Sequence, residues 1–235
     1  MATDRLIIEV LVFEGCPNAE ETFDLVTRVA ARLAPQSDVA KVEIDTPERA
    51  AEVGFLGSPS VRVNGLDIEG RAGEGALACR TYDGMGVPPE WMIEAAIARG
   101  LEPAGILFLC VANSARSQMA EGIARSMAPI GVKIWSAGSQ PTRVRPEVAV
   151  ALSEIRVDIT GQRARSIAEI PATEVDTVIT LCAAEECPVF PGKSIRLHWP
   201  LPDPALVVGS EEECLSAFRH IRDELARRIG LLLLI

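Results

Sequence analysis

Apolar and polar positions along this chain fall into two patterns. Short continuous apolar runs bounded by turn residues read as buried strands, and stretches with apolar positions three and four apart read as amphipathic helices. In the first hundred residues, 6–13 is a buried strand and 18–33 an amphipathic helix carrying Phe23, Val26, Val29 and Ala30 at helical spacing. A strand follows over 39–44. A short helix then starts at Thr46, which caps it, with Glu48 and Arg49 in the first turn. Next come a strand over 60–63, a turn at Asn64-Gly65 and a helix over 89–98. The order is βαβαββα. The later part is more regular: strand 106–110, helix from Ser117, strand 132–136, helix from Pro146, strands 176–181 and 194–198, and a helix over 211–229. Strands that alternate with helices imply a four-stranded parallel sheet flanked by helices, with ligands at the carboxyl ends of the strands. Cys110, Cys182 and the loop after His198 all follow strand ends.

Two domains are expected from this pattern, 1–103 and 104–235. Gly100, Pro103 and Gly105 fall close together, as at a domain boundary. Charge divides at the same place. Residues 1–104 hold 18 acids and 9 bases, net −9, and residues 105–235 hold 15 and 14, net −1. The overall charge of −10 argues against nucleic acid and anionic lipid as partners, so an anion must be bound locally. No apolar run approaches the roughly 20 residues of a membrane span, which predicts a cytoplasmic protein. The apolar tail 231–235 is expected to pack on a core. Six cysteines without a paired C-x-x-C, and only two histidines, predict thiol chemistry, with neither a zinc site nor another metal.

The segment from Cys110 through Val111, Ala112, Asn113, Ser114, Ala115 and Arg116 to Ser117 runs from a strand into a helix. A loop wrapped over a helix N-terminus aims several backbone N–H groups at one point and binds a tetrahedral oxyanion, and Arg116 adds a bidentate charged contact. The same field favours the thiolate of Cys110, the nucleophilic form. Asn113 suits a left-handed position in a tight cradle, and Ser117 can hydrogen-bond the thiolate from the first helical turn.

With these residues, 105–230 resembles the low-molecular-weight protein tyrosine phosphatase superfamily and, within it, the arsenate reductases. The resemblance implies that Asp203, in Asp203-Pro204, is the general acid. The phosphatases usually carry Tyr after Asp-Pro, where this chain has Ala205. Cys182 and Cys187 resemble the redox segment of thioredoxin-coupled arsenate reductases, with a shorter interval of four residues. The implied activity is arsenate reduction in arsenic detoxification. Cys110 attacks arsenate, Asp203 protonates the leaving oxygen, Cys182 attacks Cys110 to release arsenite, and Cys187 resolves the disulfide. No bound cofactor is implied. The reductant is an external or internal thiol of thioredoxin, glutaredoxin/glutathione or mycothiol type, and the partners are arsenate or a phosphate-like oxyanion and a thiol reductant protein. Two alternatives stay open. A phosphoester hydrolase would use Cys110, Arg116 and Asp203 but neither Cys182 nor Cys187, and a metalloid sensor would need thiols without the acid. His198 and Trp199 are read as scaffold.

The βαβαββα order over 5–100 resembles a thioredoxin-like domain. Gly15-Cys16-Pro17-Asn18 stands where such domains carry their redox turn, and Ser58-Pro59 where they carry a cis-proline facing it. The second cysteine of the turn is replaced by Ala19. Cys16 and Cys79 are therefore candidate accessory redox residues if the fold brings them together, with Arg80 favouring the Cys79 thiolate. The competing expectation for Cys79 is a buried structural thiol. Cys214 is expected in the core of the last helix.

Overall fold

The structure, a computed structural model, describes residues 5–183 and 188–234. Its described residues form two compact units that meet in sequence between Glu102 and Pro103.

The first unit contains β1 (Ile7–Val12), α1 (Ala19–Leu33), β2 (Asp38–Glu43), α2 (Pro47–Glu52), β3 (Ser60–Val63), β4 (Leu66–Asp67) and α3 (Glu90–Gly100). The sheet order is β2-β1-β3-β4, with β1 parallel to β2 and antiparallel to β3. This is the expected βαβαββα order. Helix α1 buries Val26, Val29, Ala30 and Leu33, one face of a 3.6-residue repeat, while Phe23 at its margin is half-buried. Each buried Val or Leu contributes about 1.5–3 kcal/mol of burial. Thr46 accepts from the Arg49 N–H and caps α2, and Asn64 and Gly65 take positive φ of 51° and 78° in the β3–β4 turn. The Ser58–Pro59 peptide is cis. Edge strand β2 carries Asp38, Lys41 and Glu43, charges that guard an edge against pairing with other chains.

The second unit contains β5 (Gly105–Cys110), α4 (Arg116–Met127), β6 (Lys133–Gly138), α5 (Pro146–Ser153), β7 (Thr177–Thr180), β8 (Ile195–His198) and α6 (Glu211–Leu232). Its four strands are all parallel in the order β6-β5-β7-β8. All six residues of β5 are buried, as a strand between two neighbours and covered on both faces requires. Leu107, Leu109, Ala137, Val178 and Phe190 form the core on one face. Strand β7 is shorter than the apolar run suggests. At its start Asp176 turns aside to accept the N–H groups of Ala104 and Gly105. At its end Leu181 leaves the strand, although its N–H still donates to the Leu109 carbonyl at 2.9 Å. Helix α6 opens on a capping box formed by Ser210 and Glu213. Cys214 is half-buried in its first turn, a correction to the core reading, because the buried face of α6 begins at Phe218. Among the described residues no helix is long and apolar enough to cross a membrane.

Candidate active site

Strand β5 delivers Cys110 to the carboxyl edge of the sheet, where the chain turns through 111–115 into α4. Ala115 stands at the N-cap without a side-chain cap, which leaves the helix terminus to another acceptor. The turn is held by its carbonyls: those of Val111, Ala112 and Ser114 accept the N–H groups of Gln140, Thr142 and Arg145 at 2.9, 3.0 and 3.0 Å. Across a planar trans peptide the N–H points opposite to the C=O. Tying these carbonyls outward therefore turns the N–H groups of Ala112, Asn113 and Ala115 inward. No described residue accepts a hydrogen bond from the N–H groups of 112–115, so they are available to an anion. Strand β6 passes so close that a Cβ on Gly138 would lie 2.3 Å from the Val111 carbonyl oxygen and 2.8 Å from the Asn113 nitrogen. Only glycine fits there.

Asn113 is the left-handed residue of the turn, with φ 44°. Its buried amide is fully engaged. Nδ2 donates to Ser117 Oγ and Ser136 Oγ, both at 2.8 Å, and Oδ1 accepts from Gln118 Nε2 at 2.9 Å and the Arg165 N–H at 2.7 Å. Ser136 in turn hydrogen-bonds the fully buried carboxylate of Glu121, which Arg125 and Arg165 neutralise at 2.6 and 2.9 Å. Because Ser117 Oγ accepts from Asn113, its proton is directed to Cys110 Sγ, 2.9 Å away. The buried thiol of Cys110 thus meets a fixed hydrogen-bond donor.

Arg116 is buried with the loop. It donates to the carbonyl of Leu201 at 3.1 Å and to Asp203 Oδ2 at 2.8 Å. Asp203 stays a quarter exposed, its Oδ1 accepting the Ala205 N–H at 3.0 Å. Cys110, residues 111 and 112, Ser114, Arg116, Asp203 and Leu206 line one open cavity of about 420 Å³. A larger depression of about 600 Å³ runs along α5 and 156–162. It contains no thiol, so its size does not mark the chemistry. An uncapped helix terminus, inward N–H groups, a guanidinium, a thiol and a carboxyl group surround a space fit for a tetrahedral oxyanion.

Residues 105–234 match the family described as low molecular weight phosphotyrosine protein phosphatase. The chain belongs to that family. Among curated proteins it is 40% identical over 126 residues to the arsenate reductases of Halalkalibacterium halodurans and Bacillus subtilis, matching 53% of this chain and 91% of each relative. Among solved structures, an arsenate reductase in the phosphate binding state is 31% identical, with a TM-score of 0.48, covering 55% of this chain and 95% of that one. The arsenate reductase of Archaeoglobus fulgidus is 27% identical, with a TM-score of 0.45, covering 53% and 98%.

The low-molecular-weight phosphatase fold thus brings together Cys110, the 111–115 loop, Arg116, Ser117 and Asp203. Cys182 follows β7. The register pairs Leu109 with Thr180, which puts Leu181 opposite Cys110 and Cys182 one residue further, fully buried. Cys187 lies outside the described residues. Trp199 is buried and His198 Nδ1 meets Thr180 Oγ1 at 2.8 Å, both scaffold contacts. In the first unit Cys16 is half-buried and Cys79 exposed, which corrects the buried reading of Cys79. Arg80 does not serve the Cys79 thiolate. Its buried guanidinium is committed to Asp67 at 2.6 and 2.8 Å and to Glu69 at 2.8 Å. Sequence reasoning missed Gly138, Ser136, Glu121 and Arg165. The readable signals are the glycine closing an apolar strand and an i,i+4 Glu-Arg pair inside an otherwise small and apolar helix face.

Proposed function

We propose that the second unit reduces arsenate to arsenite through a Cys110 adduct. The observation that carries this is the cradle: a thiol 2.9 Å from the Ser117 hydroxyl, under inward N–H groups, with Arg116 and Asp203 at its mouth. The arsenate reductases that match most of their own length along this unit support the same reading.

The arsenate oxygens bind the N–H groups of the loop and Arg116, displacing the Asp203 carboxyl from the guanidinium. The Cys110 sulfur attacks arsenic, an S–As bond forms, an As–O bond breaks, and Asp203, as general acid, delivers the proton that lets the oxygen leave as water. The Cys182 thiolate then attacks Cys110 Sγ. The S–As electron pair stays on arsenic, which leaves as trivalent arsenite, and a Cys110–Cys182 disulfide remains. Cys187 attacks Cys182, frees Cys110, and leaves a disulfide for a dithiol of thioredoxin, glutaredoxin or small-thiol type. Because Cys182 is buried, this relay requires it to leave its resting position during the cycle. A cycle that passes through reduced thiols belongs in a reducing compartment, which places the protein in the cytoplasm.

Ala205, in the position after Asp203-Pro204, offers no aromatic ring to an aryl phosphoester, which favours the reductase over the hydrolase. The test is arsenite production from arsenate by the full-length protein with a small dithiol as sole reductant, beside hydrolysis of an aryl phosphate. Arsenite formation that disappears in C110S and C182S is expected. Aryl phosphate turnover without arsenite would overturn the reading.

A further inference from the structure

The first unit carries two thiols that the reductase chemistry does not use, 63 positions apart in sequence. The fold gathers them around one segment, Ser58–Pro59. On one side, the turn after β1 places Cys16, whose N–H donates to the Phe13 carbonyl at 3.3 Å, while the Phe13 N–H donates to Ser58 Oγ at 3.3 Å. On the other side, Cys79 forms a parallel bridge with Ser58, through Ser58 N–H to the Ala78 carbonyl at 2.8 Å and Arg80 N–H to the Ser58 carbonyl at 3.0 Å.

The Cys79 segment is held where it is. Arg80 turns inward onto Ser60, Asp67 and Glu69 and lies over the Tyr82 ring at 4.6 Å. Burial opposes its charge, but the hydrogen bonds to Asp67 and Glu69 outweigh that and raise its pKa above the ordinary value. The Tyr82 hydroxyl donates to the Pro59 carbonyl at 3.0 Å. Further along, Gly86 is pressed against Asn18, the N-cap of α1, so closely that a Cβ there would lie 2.1 Å from the amide nitrogen. Residues 78–86 therefore run from Ser58 to the start of α1, alongside the Cys16 turn. Alternation does the rest: Arg80 and Tyr82 face in, and Cys79, directly before Arg80, faces out.

The geometry points to Cys16 and Cys79 as the two ligands of one soft-ligand site that takes trivalent arsenic, the product expected of the second unit. The choice of arsenic rests on the reductase reading, whereas the pairing of the thiols rests on the first unit alone. Thiolates select soft, thiophilic centres. Arsenite exchanges two hydroxyls for two thiolates: two S–As bonds form, two As–O bonds break, the thiol protons leave with the hydroxyls as two waters, and arsenic stays trivalent. Two tethered thiols hold such a centre on the order of 10²-fold more tightly than one.

The test titrates sodium arsenite into full-length protein in which Cys110, Cys182, Cys187 and Cys214 are replaced by Ser, following arsenic stoichiometry by mass spectrometry and loss of reactive thiols. A 1:1 complex with both thiols lost is expected, and C16S or C79S in that background should weaken it by about 100-fold. Equal weak binding by the parent and both single variants would overturn the pair. Should the quadruple variant not fold, alkylation mapping on the otherwise unaltered chain gives the same decision. Arsenite should protect Cys16 and Cys79 together, and neither C16S nor C79S should protect the remaining one. Failure of the reductase reading shows separately, as absent arsenate turnover in the unaltered protein beside intact arsenite binding.

Discussion

The two units present their sulfur in opposite ways. Cys110 is buried, fixed by Ser117 and roofed by backbone N–H groups, while Cys16 is half-buried and Cys79 exposed around a shared backbone segment. Their surroundings differ in charge as well, with net −9 over residues 1–104 and −1 over 105–235. A hard oxyanion is recognised by preorganised N–H dipoles and a guanidinium, which work best away from water. A soft trivalent centre is recognised by sulfur itself and needs only that two thiols be reachable. Burial suits the first task and exposure the second.

The largest effect that sharpens this contrast is expected from C110S. Arsenate turnover should fall by at least about 10³-fold while arsenite capture by the first unit stays unchanged; loss of both would erase the division of labour. R116K keeps the charge but loses the planar fork, and kcat/KM should drop by roughly 10²-fold, read from initial rates over a range of arsenate concentrations. S117A removes the donor facing the thiolate without touching the oxyanion contacts. Arsenate turnover, read from initial rates of arsenite formation, should fall about 10–100-fold, in line with about 1.5–3 kcal/mol for a hydrogen bond to a charged group.

G138A tests the cradle's packing. The added methyl meets backbone on two sides, so about 1–3 kcal/mol of stability should be lost, visible as a lowered urea midpoint, together with activity. The smallest effect is expected outside the oxyanion cavity. Hydrogen bonds from Arg219 and Arg222 hold the Glu154 carboxyl down at about 2 from the ordinary 4.5, tying the end of α5 to α6. Its folded value lies below its unfolded one, so the stabilisation is complete above about pH 4.5 and is lost as pH falls towards 2. Thermal melts across that window should show E154Q with a shallower decline than the unaltered chain.

Much of this was legible in the residues. Apolar runs or apolar–polar alternation marked every strand except the two-residue β4, and Thr46 and Asn64-Gly65 announced a cap and a turn because their chemistry is local. Cys110, Arg116 and Ser117 could be placed because a strand, a loop and a helix are consecutive in the chain. What could not be read depends on distant partners. Glu121 sits in the interior of α4, and its burial makes sense only with Arg165, 44 residues on, beside it. Arg80 neighbours Cys79 in sequence yet turns to Asp67 and Glu69, contacts that only the sheet creates. The ties from 140–145 to the loop are made by backbone atoms and leave no mark in side-chain type.

Those ties set an unusual rule for sequence drift on the outer side of the loop. Gln140, Thr142 and Arg145 support the cradle through their N–H groups alone, and the side chains of Gln140 and Thr142 are exposed. Nineteen residue types can donate that bond and proline cannot. The prolines of this stretch, Pro141 and Pro146, both stand at positions from which the loop takes no hydrogen bond. Evolution, or a designer, can therefore rewrite the side chains at positions 140 and 142, on the outer side of the loop, while the dipoles that hold the anion stay in place.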